Sequence, residues 1–159
     1  MLKEIYFKKT RFMFDIRDLF FLARNLDQLR DYAGDSKWRT ERTEDDTIQD
    51  YYGDQLLSKT SYIDDNPPTF LKAQVIITGL EETPFILNLN LEEVEKNETV
   101  LEYQIKADIP DDFEIEALQD TIDEFRKALY SEVAKAAHNL ELERRREETA
   151  IPFTDMRDN

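Results

Sequence analysis

Two stretches of the chain alternate apolar and polar side chains with a period of two. In residues 85–94, Phe85, Leu87, Leu89 and Leu91 fall on one side, and Asn88, Asn90 and Glu92 on the other. In residues 100–109, Leu101, Tyr103, Ile105 and Ala107 alternate with Glu102, Gln104, Lys106 and Asp108. Neighbouring side chains of a strand point to opposite faces, so both stretches predict antiparallel strands with one buried and one wet face. Lys96-Asn97-Glu98 closes the hairpin between them. Residues 69–78 are apolar on both faces toward their end, which places that strand centrally, and residues 79–84 turn the chain back. Residues 2–14 predict another strand, with Phe12 and Phe14 on one face. Residues 36–63 predict two or three short, edge-like strands. Gly53-Asp54 can turn one into the next, and Asn66-Pro67-Pro68 breaks whatever precedes it.

The period then changes. Ile16, Leu19, Phe20, Ala23, Leu26 and Leu29 recur at three- and four-residue steps and predict one helix over residues 15–33. Asp15 suits its N-cap, Asp18 stands at the capping-box position, and Gly34 follows where a left-handed residue ends a helix. After Pro110, Asp111 and Glu114 suit a capping box. Ile115, Leu118, Ile122, Phe125, Leu129, Val133, Ala136 and Leu140 form a stripe about seven turns long. Arg144, Arg145 and Arg146 follow, where cations complement the helix C-terminal dipole.

A sheet with one apolar face needs cover, and the long stripe matches it. The expected fold class is α+β: an antiparallel β-sheet with a long C-terminal helix and a shorter N-terminal helix packed on one face. The length of 159 residues suits a single domain, assigned to residues 1–146. Residues 147–159 read as a flexible tail, in which Ile151 and Phe153 could dock.

Composition narrows the function. There is no cysteine, which removes disulfides and thiolate chemistry and favours a reducing compartment. The basic N-terminus lacks a signal-peptide core, and no stretch is apolar enough for a membrane helix, so a cytoplasmic location is expected. The net charge is −15. Residues 44–125 hold 22 acidic and four basic side chains, while the flanking segments are close to balance. Such a field opposes direct binding to nucleic acid or anionic membranes and steers basic partners.

Candidate chemistry is sparse. The one histidine, His138, falls off the helix stripe and is expected on the surface. The three glycines, Gly34, Gly53 and Gly79, are too far apart to cradle a phosphate. No serine sits in a nucleophile motif. Adjacent acidic pairs such as Asp45-Asp46, Asp64-Asp65 and Glu92-Glu93 point to opposite faces of a strand and seldom converge on a metal. No catalytic residue, metal ligand or cofactor is expected.

Acids beside aromatics make a protein-contact surface. Its expected members are Asp45, Asp46, Asp50, Tyr51, Tyr52, Asp54, Asp64, Asp65, Glu92, Glu93 and Glu95. The expected partner is a protein, either basic or with exposed apolar segments, alongside self-association.

Two resemblances extend this reading. Residues 75–96, VIITGLEETPFILNLNLEEVEK, and 115–137, IEALQDTIDEFRKALYSEVAKAA, resemble the hairpin and helix of SecB-type export chaperones, and EIYFKKTRFMF resembles their first strand. That resemblance implies a non-enzymatic, chaperone-like module. The order strand, helical stretch, six strands, long helix is similar to the helix-grip, START-like fold, which implies a cavity for a small hydrophobic ligand. Inhibition of a basic, nucleic-acid-handling target, including a phage-encoded nucleic-acid mimic acting against host defence, is the remaining expectation from charge.

Overall fold

The computed structural model describes residues 1–34 and 38–157, with side chains through Glu147. The elements run β1 (Lys3–Phe12), α1 (Ile16–Arg24), α2 (Leu26–Ala33), β2 (Trp38–Arg42), β3 (Thr47–Tyr52), β4 (Gln55–Asn66), β5 (Phe70–Ile77), β6 (Phe85–Glu95), β7 (Glu98–Ala107) and α3 (Ile115–Arg157). The strands form one seven-stranded sheet in the order β1-β7-β6-β5-β4-β3-β2. Every neighbouring pair is antiparallel. β5 is the middle strand, as its two apolar faces require.

The alternating strands behave as their pattern dictates. Phe85, Leu89 and Leu91 on β6, and Leu101, Tyr103, Ile105 and Ala107 on β7, are buried in one core. Their register is fixed by direct pairing, with Leu89 opposite Tyr103 and Leu87 opposite Ile105. Register breaks at Ile5 of β1, at Leu57 and Ile63 of β4 and at Val94 of β6 mark bulges, which bend the strands.

All three helices join the same core through Leu19, Leu22, Leu29 and Ile122. Ala136 and Ala137 are fully buried on α3. Beside them Asn139 Nδ2 donates to the Tyr32 carbonyl of α2 at 2.7 Å. Small side chains at this crossing let the two helices approach closely.

Three expectations change. The helix expected over 15–33 is two helices, broken at Asn25 (φ −129°, ψ 72°). Asn25 ends α1, since its N–H and its Nδ2 both donate to the Phe21 carbonyl, at 3.0 and 2.9 Å. It also opens α2, since its carbonyl accepts from Leu29 N–H at 2.9 Å. Asp15 does cap α1, accepting from Arg17 N–H at 2.8 Å. Asp18, however, is buried and pairs with Arg144 of α3 rather than completing a box. The third change is at α3, which starts at Ile115 after a turn closed by Phe113 N–H on the Pro110 carbonyl. Asp111 there pairs with Lys3, so it is no helix cap. At the other end α3 continues to Arg157, and the expected docking of Ile151 and Phe153 lies outside the described side chains.

Candidate ligand-binding cavity

α3 does not seal the sheet. Between them lies a cavity of about 370 Å³. Its floor is the inner face of β4–β7, where Ala73 sits between Tyr62 and Leu87 in the strand register. Both neighbours are large, so the alanine leaves depth. The roof is the α3 stripe: Leu118, Ile122, Phe125, Leu129 and Val133. Four of these five remain half-buried because they face the cavity rather than packed atoms. Leu19, Ala23, Leu26 and Leu29 of α1 and α2 close one side, and Phe12 of β1 lines it too. A shallower groove along the start of α3 is open to solvent and shares Leu118 and Thr121 with the cavity wall.

Gln55, Ser58, Thr60, Thr78 and Thr121 also line this space, and two clusters of polar groups lie at its wall or behind it. The first joins α2, β2, β3 and α3. Arg30 Nη2 donates to Asp50 Oδ2 at 3.2 Å, its Nε donates to Thr40 Oγ1 at 3.4 Å, and its Nη1 pairs with Glu132. The Thr40 hydroxyl donates to Asp50 Oδ1 at 2.9 Å. The guanidinium lies 5.1 Å from the Trp38 ring centroid, a cation–π distance. Burial pushes the Asp50 carboxyl above the usual carboxylate range, against the pull of Arg30.

The second joins β1, β7 and α3. The Tyr6 hydroxyl donates to Asp123 Oδ1 at 2.6 Å and accepts from Arg126 Nε at 2.6 Å. Arg126 Nη2 reaches the same Asp123 oxygen at 3.0 Å. The Tyr6 hydroxyl, with Arg126 and Lys127, holds the Asp123 carboxyl far below its ordinary value. Tyr103 stacks edge-on between Tyr6 and Tyr130, with centroids at 6.0 and 6.2 Å. Burial raises the phenols of Tyr103 and Tyr130.

The expected partner surface is not one patch. Asp45, Asp46, Asp64, Asp65, Glu92, Glu93 and Glu95 lie at one end of the sheet, where β3 starts and β4 and β6 end. Asp46 there is committed to Arg24 and Arg42, and Asp65 to Arg24 at 3.6 Å. Tyr51, Tyr52 and Asp54 lie at the opposite end, around the β3–β4 turn. Tyr51 lies under the Arg39 guanidinium at 4.2 Å, and Tyr52 packs on Trp38 at 5.4 Å. Asp50 is a correction. It shares the inner face with Ile48 and is buried against Arg30, so it offers no partner a carboxylate. His138 is exposed, as its place off the stripe requires. Among the described residues, no three His, Cys, Asp or Glu side chains gather in a way that could hold a metal ion. No described helix is long and apolar enough to cross a membrane.

Sequence reasoning missed Arg30, Tyr103 and Tyr130 as cavity residues, and Tyr6 and Arg126 as the pair behind them. One signal was available for Asp50: it stands two residues after Ile48, on the same face of a strand.

No protein-family model matches the sequence, and no curated protein does. Solved structures do match in shape. The chain is 13% identical to a norcoclaurine synthase from Thalictrum flavum, with a TM-score of 0.65 over 90% of this chain and 97% of that one. A START superfamily protein from Mycobacterium smegmatis matches at 8% identity, with a TM-score of 0.62 over 87% and 99% of the two chains. An HSP90 activator from Plasmodium falciparum matches at 12% identity, with a TM-score of 0.51 over 66% and 73%. The strand, helix pair, six strands and long helix, together with these likenesses, establish that the chain has the helix-grip fold; the SecB-type resemblance finds no counterpart among them.

Proposed function

We propose that this protein binds a small apolar molecule between its sheet and α3. The observation that carries the reading is the cavity of about 370 Å³, walled almost wholly by aliphatic and aromatic side chains. Its volume falls in the range of small-ligand sites, with a few polar groups set into an apolar wall. Helix-grip neighbours named as a START superfamily protein and as an enzyme holding a small-molecule analogue support a cavity-based role. The reading is binding rather than turnover. The one acidic side chain in the wall, Asp50, is tied to Arg30 and Thr40 and is not free to act as a base.

Titration with phenylnaphthylamine, a neutral fluorophore that brightens in apolar surroundings, tests it. The wild-type chain is expected to bind the dye with one-to-one stoichiometry. Ala73→Phe puts a ring where the floor is deepest and is expected to weaken dye binding at least tenfold, and Leu129→Phe fills the space from the roof. No dye binding by the folded wild-type chain, or binding untouched by both variants, overturns the reading.

A further inference from the structure

One tyrosine hydroxyl in the cavity wall, that of Tyr103, has no hydrogen-bond partner among the described residues. Tyr103 and Tyr130 both line the cavity. The Tyr130 hydroxyl is sealed off from that space and lies against the Thr10 side chain of β1, so the ring of Tyr130 lines the wall and its oxygen does not. Tyr103 is 94% buried, since its exposure is 6%. Among the described residues no hydrogen bond reaches its hydroxyl, while the neighbouring Tyr6 hydroxyl is used on both sides. An unmet buried hydroxyl is costly, and a ligand oxygen or polar hydrogen relieves that cost.

The charges in and behind the wall say what kind of ligand atom fits. Arg30 and Asp50 line the cavity, and Glu132 pairs with the same arginine. This corner carries one positive and two negative groups, and no lysine lines the space. At the tyrosine end, the Arg126 guanidinium is already matched by Asp123 at 3.0 Å. Lys127 pairs with the same carboxylate at 3.1 Å from an exposed position outside the cavity. A buried ligand carboxylate needs a charge partner to offset its desolvation, and no unpaired cation lines the space.

Resting on the binding reading above, we infer that the cavity selects neutral apolar molecules bearing one ketone or hydroxyl oxygen, and that the Tyr103 hydroxyl hydrogen-bonds that oxygen. Carboxylates of the same size are disfavoured.

The test uses displacement of phenylnaphthylamine by three compounds of matched size: butylbenzene, benzylacetone and hydrocinnamic acid at mildly alkaline pH. In the Tyr103→Phe variant, benzylacetone is expected to bind about tenfold more weakly, the value of one good hydrogen bond. Butylbenzene is expected to bind the variant as well as it binds wild type, which also shows that the variant is folded. Hydrocinnamate is expected to bind wild type at least tenfold more weakly than the ketone. Ketone affinity unchanged in the variant, or hydrocinnamate binding as tightly as the ketone, overturns the inference while dye and butylbenzene binding preserve the cavity reading. Failure of both dye and butylbenzene to bind wild type removes the two together.

Discussion

Arg30 and Arg126 are the two deeply buried arginines among the described residues, and they sit at opposite corners of the sheet–helix interface. Both side chains are 7% exposed. Their carboxylate partners differ. Asp50 and Glu132 are 6% and 12% exposed, whereas Asp123 is 33% exposed. At the first corner, charge is enclosed and every group is committed to another. At the second, water reaches the carboxylate, and one nearby phenol, Tyr103, is left with nothing to bond. Identical burial of the cation therefore means different things. One corner ties four elements together; the other leaves binding capacity at the cavity edge.

The largest expected effect is at the enclosed corner. Arg30→Met leaves Asp50 and Glu132 facing each other without a counter-charge, and is expected to cost about 3–5 kcal/mol in denaturant unfolding. Arg126→Met is expected to cost only about 1–2 kcal/mol, because water can solvate Asp123. Equal losses in the two variants would erase the contrast.

Acid titration sharpens it further, because the two aspartates move in opposite directions from their ordinary value of 3.8. The folded state holds the Asp50 proton to higher pH than the unfolded chain does. That contribution is complete below 3.8 and is lost as pH rises through the elevated value. Asp123 is the reverse: its contribution is complete above 3.8 and is lost as pH falls toward its depressed value. Melting temperatures measured from about pH 2 to about pH 6 are expected to show a flatter acid limb for Asp123→Asn and a smaller decline above 3.8 for Asp50→Asn. Parallel curves for the two variants would contradict these assignments.

The smallest change is a comparison of phenols. Tyr6→Phe removes a hydroxyl used twice and is expected to cost about 1–2 kcal/mol. Tyr103→Phe removes one that no described group hydrogen-bonds and is expected to be neutral, within about 0.5 kcal/mol, or to stabilise. A substantial loss for Tyr103→Phe in thermal unfolding would show that its hydroxyl has a partner after all.

The sheet was legible because the hairpin strands β6 and β7 alternate cleanly from Phe85 to Leu91 and from Leu101 to Ala107, where one face is buried. The long helix was legible for the same reason, with Ile115 to Leu140 repeating at helical steps. The break at Asn25 was not, because Leu26 and Leu29 carry the apolar stripe straight across it. The cavity was legible only as a fold-level resemblance. Half-filled space leaves no mark on a hydrophobic pattern, since Leu129 reads the same whether it meets packed atoms or a void. The charged corner was hidden by distance along the chain: Arg30 and Glu132 are 102 positions apart, and each looks like an ordinary solvated helix residue by itself. Tyr103 was correctly placed inside by alternation, but period alone cannot say whether its hydroxyl finds a partner.

The space under α3 also sets how the molecule answers compression. Unfolding eliminates internal voids, so its volume change scales with them, and hydrostatic pressure drives the chain toward the smaller state. A fold enclosing about 370 Å³ is accordingly soft to pressure when its interior is vacant and stiffer once a guest occupies it. Squeezing the protein thus reports how full it is, whatever the identity of the guest.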